Sequence, residues 1–447
     1  MTLPAISRRS ALQTLGGGFG GLVLADLLRA DVPTGATHFR PRARRVIFLY
    51  MSGGPSHLDL FDPKPEMAKR AGQRPSEVAL RTERVTGGLL PSPFKFRKCG
   101  SSGLEVSELL PRLQACVDDI CMVRSVYGVN PNHAPAGNFM ASGRIDQIHP
   151  SIGAWVSYGL GRENESLPGF VSIKEAETAS RYVRNGYLPG EHQATPIDVR
   201  TTEPDKMIRH LRNADIARGD QRRQLEFIRT LNQTHRAERP GDSVLDARIA
   251  AMETAYRMQF AAGGALDVGS ESREVRDLYG EGWFANGCLV ARRLVERGVR
   301  YIHLEHGGWD HHDKISENIR KSASQIDQPI AALLIDLKRR GLLDETLVVW
   351  GGEFGRTPVS ENGDGRDHNH YGFTMWFAGG GVHGGTTYGT TDDFGFRAVE
   401  NRVSVHDVHA TMLHLLGLDH ERLTYRYSGR DFRLTDVHGR VVQDIVA

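Results

Sequence analysis

Between Gly307 and Tyr371 the chain carries three short polar clusters, GGWDHHDK, GGEFGRTP and GRDHNHYG. Asp310 and His312 form a D-x-H pair in the first, Glu353 and Arg356 lie in the second, and Asp367, His368 and His370 lie in the third. Carboxylate oxygens and neutral imidazole nitrogens are the donors that hold divalent metals in mixed O/N coordination. On a loop that curls, Asp310 and His312 can both reach one ion. Gly351 and Gly352 let the backbone before Glu353 approach a bound ion or anion closely. Arg356 can orient a carboxylate or clamp a phosphate or sulfate oxygen. Taken singly, the first cluster reads as a solvated polar loop, the second as a surface ion pair and the third as hydrogen-bonded loop histidines. Together they point to a metal-dependent hydrolytic site.

The flanking segments show which elements must position these residues. YIHLEH precedes Asp310, TLVVWGG runs up to Glu353, and FTMWFAGG follows the third cluster. The amphipathic segment NGCLVARRLVERGVR feeds into YIHLEH, and IDQPIAALLIDLKRRGLLDETLVVW repeats the helix-to-strand step. Such alternation predicts a parallel sheet with helices on both faces, and ligands bind such sheets at the carboxyl ends of the strands. Upstream, RRVIFLYM from Arg44 to Met51 reads as a buried strand ending in SGGPSHLDLFDPKP. That loop brings Asp59 and Asp62 to the same edge, with Ser56 and His57 beside them. Asp59 is the further metal ligand expected there, whereas Asp62 before Pro63 also suits a turn cap. The strand-like DICMVRSVYG leads into VNPNHAPAGNFMASG, where Asn132 and His133 open a helix. Helix N-termini favour anions. A histidine so placed can be nucleophile, general acid or ligand, or the pair can simply cap the helix. Residues from about 205 to 280 are rich in Arg, Glu, Gln, Ala and Leu at helical spacing and read as a helical insertion. SVHDVHATMLHLLGLD reads as a late helix closed by Gly417.

The 447 residues can bury a large core, and the net charge of +2 without a long basic run offers nucleic acid no electrostatic footprint. Four cysteines in such a chain make no disulfide framework and read as structural thiols. Residues 1–30 differ from the rest. Twin arginines in SRRSALQTL precede an apolar run from Leu15 to Leu28, the pattern of a Tat-type export signal. An amphipathic first helix is the plainer reading of the same stretch. The run is short and glycine-rich, and it contains Asp26, so no stable membrane span is expected. Export makes the Tat machinery a partner and the periplasm or cell envelope the destination.

SGGPSHLDLFDPKP, ETAYRMQ, REVRDLYG, CLVARRLVERGVR, GGWDHH, GEFGRTP, GRDHNHYG and SGRDFRLTDVHG span nearly the whole chain. Through them it resembles domain-of-unknown-function family 1501, exported bacterial proteins grouped as sulfatase-like members of the alkaline phosphatase superfamily. The resemblance implies an α/β fold: an alkaline-phosphatase-like three-layer α/β/α sandwich with a mainly parallel central sheet, forming a single domain over residues 44–447. It also implies divalent metal (zinc, calcium, magnesium or manganese) held at the sheet edge. Asp59 matches the position of that superfamily's first aspartate, Asn132 and His133 that of its nucleophile, Asp310 and His312 an Asp/His pair, Glu353 and Phe354 a D-H pair, and His368 a late histidine. Asp367 beside His368 completes the expected metal set.

The chain departs from the pattern at several points. No Ser, Thr or Cys stands at the nucleophile position, and CLVAR has Val290 where a formylglycine motif has Pro or Ala. The D-H pair is Glu-Phe, and D-x-H is shorter than the usual D-x-x-x-H. These departures argue against a formylglycine-type sulfatase and favour one metal over two. The expected activity is metal-dependent hydrolysis of phosphate or sulfate esters, on a small-molecule or glycan substrate outside the cytoplasm. Arg356 would then steady the anion, and His133 would serve as acid/base or nucleophile. The missing nucleophile also suits a non-catalytic exported binding or envelope protein on a degraded hydrolase scaffold.

Overall fold

The apolar runs of the sequence become the strands of one nine-stranded sheet in the computed structural model, which describes residues 37–175, 180–209, 216, 218–239, 249, 252–253, 256–258 and 263–447. In chain order the strands that matter are β1 (Arg45–Met51), β2 (Ile120–Tyr127), β3 (Phe170–Lys174), β4 (Thr195–Asp198), β5 (Tyr301–His306), β6 (Thr346–Gly351), β7 (Gly355–Glu361), β8 (Gly365–Asn369), β9 (Phe373–Ala378), β10 (Thr386–Tyr388) and β11 (Val403–Ser404). The sheet runs β10-β2-β9-β6-β1-β5-β3-β4, with β11 also pairing β2, while β7 and β8 form a separate antiparallel hairpin. Only β9 runs against its neighbours; the other pairings in the sheet are parallel.

Every residue of β1, β6 and β9 is buried, as expected of strands covered on both faces. The pleat of β1 divides its side chains between two cores. Ile47, Leu49 and Met51 pack with the helices Trp283–Glu296 and Ile315–Arg339, whereas Val46, Phe48 and Tyr50 pack with Ile152–Leu160 and Val405–Leu415. The result is a three-layer α/β/α sandwich around a mostly parallel sheet, the architecture an alkaline-phosphatase-like fold requires. Within the stretch read as a helical insertion, the described residues include the helices Arg218–Glu238, largely exposed, and Arg273–Tyr279. The twin-arginine segment lies outside the described residues. Among those described, no helix is long and apolar enough to cross a membrane.

Register makes the sheet a positioning device. Met51 of β1 pairs with His306 of β5, and Tyr50 pairs with Gly351 of β6, so these three strands end level with one another. The polar clusters that follow them therefore emerge side by side. Leu304 of β5 is fully buried in one of the two cores. Leu304→Ala is expected to lower stability by about 2–5 kcal/mol, read as a shifted denaturant midpoint with an unchanged slope.

Candidate metal centre

Four loops reach the carboxyl edge. The loop after β5 carries Asp310, His311 and His312, and the chain after β6 carries Glu353 before turning into the β7–β8 hairpin. That hairpin brings Asp367 and His368 back over the edge, and β2 delivers His133 as the first residue of the helix His133–Ser142.

One ligand atom each from His133, Asp310, His312 and His368 lies within 4.8 Å of the others. Asp310 Oδ1 is the hub. It stands 3.2 Å from His133 Nε2, 2.8 Å from His312 Nε2 and 3.1 Å from His368 Nε2, while the two nitrogens of His312 and His368 are 3.0 Å apart. Each ring is held from its other nitrogen. His133 Nδ1 donates to Glu353 Oε1 at 2.7 Å, His312 Nδ1 to Glu361 Oε2 at 2.5 Å, and His368 Nδ1 to Pro131 O at 2.7 Å, with Glu83 Oε2 also 2.5 Å away. Neither a carboxylate nor a carbonyl has a proton to give, so Nδ1 carries it, and in the neutral ring Nε2 turns a lone pair inward. Three lone pairs and a carboxylate oxygen at these distances repel unless a cation lies among them. His133 Nε2 is buried and makes no hydrogen bond, in keeping with a ligand atom. The donor set therefore fits a divalent metal. Orienting partners on the far nitrogen are the usual support of metal-binding histidines.

The electrostatics follow the same geometry. Burial pushes the Asp310 carboxyl up, but the adjacent imidazoles of His133, His312 and His368 and the charge of Arg356 hold it far below the usual carboxylate range. Burial works against the charged form of His133 too, yet Asp310 and Glu353 raise it to about 9. His312 is raised, against burial, by Asp310 and Glu361, while burial lowers His368 despite Asp310.

The remaining sequence candidates take other positions. Asp59 is fully buried and lies outside these groups; Arg366 Nε donates to its Oδ2 at 2.8 Å and Nη2 to its Oδ1 at 3.2 Å, and Ser56 Oγ donates as well at 2.5 Å. Glu353 is buried and stands behind His133, accepting from Tyr50 Oη and the Gly53 N–H, each at 2.9 Å. Asp367 belongs to two further groups, with Glu83 and His368 and with His312 and Glu361, each borrowing an imidazole of the first. Arg356 is buried, and each of its three nitrogens donates within the protein. These bonds go to the carbonyls of Gly53, Gly54, Trp309 and Arg366 and, at 2.6 Å, to Asp310 Oδ1. It holds a carboxylate, as one expectation had it, and its guanidinium is wholly buried among these partners. Asn132 is exposed and makes no side-chain cap. His57 Nε2 is occupied by Gly395 O, and Asp62 pairs with Lys64 and accepts from Thr391 Oγ1 at 2.5 Å.

Glu83 and Glu361 escape sequence reasoning. Glu361 ends β7 five residues beyond Arg356, and only the two-stranded pairing of β7 with β8 reveals its place. Glu83, in the loop that crosses the hairpin, carries no local signal. Beside the histidines a cleft of about 420 Å³ opens, lined by Arg81, Thr82, Glu83, Pro131, Asn132, His370 and Tyr371.

Two substitutions test this construction. Gly53 has φ +117°, and a Cβ there would meet Asp310 N at 2.7 Å and the Trp309 backbone at 2.9 Å, rigid atoms that position the hub. Gly53→Ala is expected to lower both thermal stability and retained metal, the latter measured by elemental analysis. Asp59→Asn leaves the buried Arg366 without a counter-charge, a loss of about 3–5 kcal/mol in denaturant unfolding. Burial raises the Asp59 carboxyl, but Arg366 lowers it below the ordinary aspartate value. Its contribution is therefore complete above about pH 4 and fades as the pH falls towards the folded value. The gap between wild type and Asp59→Asn should narrow only in acid.

Several solved structures resemble the chain. The one described as Ps i-CgsB is 10% identical, with 85% of this chain and 73% of that chain covered and a TM-score of 0.41. The lipoteichoic acid synthase LtaP from Listeria monocytogenes is 12% identical, with 92% and 80% covered and a TM-score of 0.39. The PsFucS1 sulfatase from Pseudoalteromonas sp. is 12% identical, with 85% and 68% covered and a TM-score of 0.37. The likeness is one of fold. No curated protein matches the sequence. A family model described as "Protein of unknown function (DUF1501)" matches residues 43–446, and the chain belongs to that family.

Proposed function

We propose that the protein is a metal-dependent hydrolase of phosphate or sulfate esters that acts outside the cytoplasm. One observation carries the reading: three imidazole Nε2 atoms converge on Asp310 Oδ1 while each Nδ1 is held by a carboxylate or carbonyl. His133, Asp310, His312 and His368 would hold the ion. Three nitrogens and one carboxylate oxygen suit zinc or a similar first-row ion better than calcium or magnesium, which favour all-oxygen surroundings. When bound, the metal supplies a Lewis-acid charge that polarises an ester oxygen.

The chain's own residues do the rest. Glu353, Glu361 and Pro131 fix the rings, and Arg356 fixes Asp310. The Asp310 side chain remains 45% exposed, so the group opens to solvent and to the adjoining cleft. Glu83 and His370 face that cleft as groups able to hold a proton. Burial lowers His370 to about 4, so it is neutral at pH 7 and its ring can accept one. The location outside the cytoplasm rests on the twin arginines Arg8 and Arg9, which also make the Tat machinery the expected partner.

A second reading has its own observation. No Ser, Thr or Cys opens the helix His133–Ser142, and Asn132 before it is exposed. A non-catalytic exported binding or envelope protein that keeps a metal for structural reasons would look the same at this position.

Elemental analysis of purified protein should find about one zinc-class ion per chain. Asp310→Ala and His312→Ala should abolish retention, and Glu353→Gln should weaken it by roughly 10–100-fold. A panel of phosphate and sulfate esters should include at least one whose turnover needs the metal and disappears in Asp310→Ala. Protein that neither retains a divalent metal nor gains activity from one rules out the hydrolase. Retained metal without turnover of any ester favours the binding protein.

A further inference from the structure

An ester hydrolase needs a cation for the phosphate or sulfate group, and the arginine that sequence spacing offers, Arg356, is wholly buried and bonded to four carbonyls and Asp310. Two other guanidinium groups near the centre are also engaged. Arg366 is paired with Asp59, and Arg84 Nη1 donates to Glu361 Oε1 at 3.0 Å. Arg81 differs. It is exposed, it lines the cleft, and its guanidinium has no hydrogen bond or ion pair to any described residue.

Its backbone, in contrast, is firmly placed. Tyr371 Oη donates to Arg81 O at 3.1 Å, and Thr82 Oγ1 donates to Arg84 O at 2.7 Å. The Arg84 N–H donates to Asp367 Oδ2 at 2.7 Å, and Glu83 Oε2 lies 2.5 Å from His368 Nδ1. The segment 81–84 is thus fastened to the residues that carry the candidate ligands, with one free guanidinium turned to a cleft that begins at Pro131 and Asn132, next to His133. Arginine's planar fork matches the paired oxygens of phosphate and sulfate. The cleft is larger than either anion and leaves room for the alcohol part of an ester.

We propose that Arg81 is the specificity-determining residue of the site, binding the phosphate or sulfate group of an ester seated in this cleft. The inference rests on the hydrolase reading and adds to it the residue that recognises the anion.

Metal-loaded wild type, Arg81→Ala and Arg81→Lys are titrated calorimetrically with inorganic phosphate and, separately, with sulfate, and the metal content of each sample is measured. Wild type is expected to bind at least one of the two anions, and the tighter one identifies the ester class. Arg81→Ala should weaken that anion by roughly 10–100-fold, while Arg81→Lys, which keeps the charge and loses the fork, should recover part of the loss. Metal content and thermal midpoint should not change among the three, because Arg81 is exposed and touches no ligand. Equal affinity in wild type and Arg81→Ala overturns the assignment, as does metal-loaded wild type that binds neither anion; in both cases the metal reading stands. Wild type that holds no divalent metal fails the hydrolase reading itself, and the inference falls with it.

Discussion

A guanidinium group taken out of water must find a partner for every N–H and for its charge, or it costs several kcal/mol. Arg356 finds its partners across three separate segments. It binds the carbonyls of Gly53 and Gly54 after β1, of Trp309 after β5 and of Arg366 on β8, and it neutralises Asp310. None of these segments can move without stranding a donor of a buried cation. Asp310 Oδ1 is therefore fixed where three imidazoles can reach it, and Gly53, pinned by its carbonyl, presents its N–H to Glu353 behind His133. The parallel sheet brings the loops to one edge, and Arg356 fixes their mutual distances there.

The second buried guanidinium explains the fate of Asp59. Arg366 sits on β8 beside Asp367, and its own carbonyl is one of the acceptors of Arg356. Two arginines so close and so buried need two carboxylates. Asp310 serves one and Asp59 serves the other. Asp310 keeps an exposed side and remains available as a ligand, whereas Asp59, enclosed between Ser56 and Arg366, is spent as a counter-charge.

Fold and site were legible in the sequence to different degrees, for a physical reason. A strand covered on both faces must be apolar throughout, so RVIFLYM and TLVVWG announce themselves, and the helices between them fix the parallel direction. The edge on which His133, Asp310, His312 and His368 meet follows from that direction alone. Whether a carboxylate faces a metal, a histidine or an arginine depends on partners hundreds of residues away: Asp59 and Arg366 are 307 apart, and Tyr50 and Glu353 are 303 apart. No spacing rule carries that information. Glu83 and Glu361 were invisible for the same reason, since each is defined by the nitrogen it supports.

The cleft also bears on the attacking group. Among the residues that line it, the hydroxyls belong to Thr82 and Tyr371, and both donate to backbone carbonyls, Thr82 to Arg84 and Tyr371 to Arg81. Freeing either would loosen the segment that carries Glu83 and Arg84 onto His368, Asp367 and Glu361. The helix start that would offer a nucleophile offers Asn132, an amide, and His133, whose Nδ1 is held by Glu353 and whose Nε2 points to Asp310. On the proposed hydrolase reading, the commitment of these hydroxyls and of His133 favours water as the attacking group. On that reading, ester cleavage by water in one displacement needs no covalent enzyme intermediate, and a helix start without Ser, Thr or Cys is compatible with it.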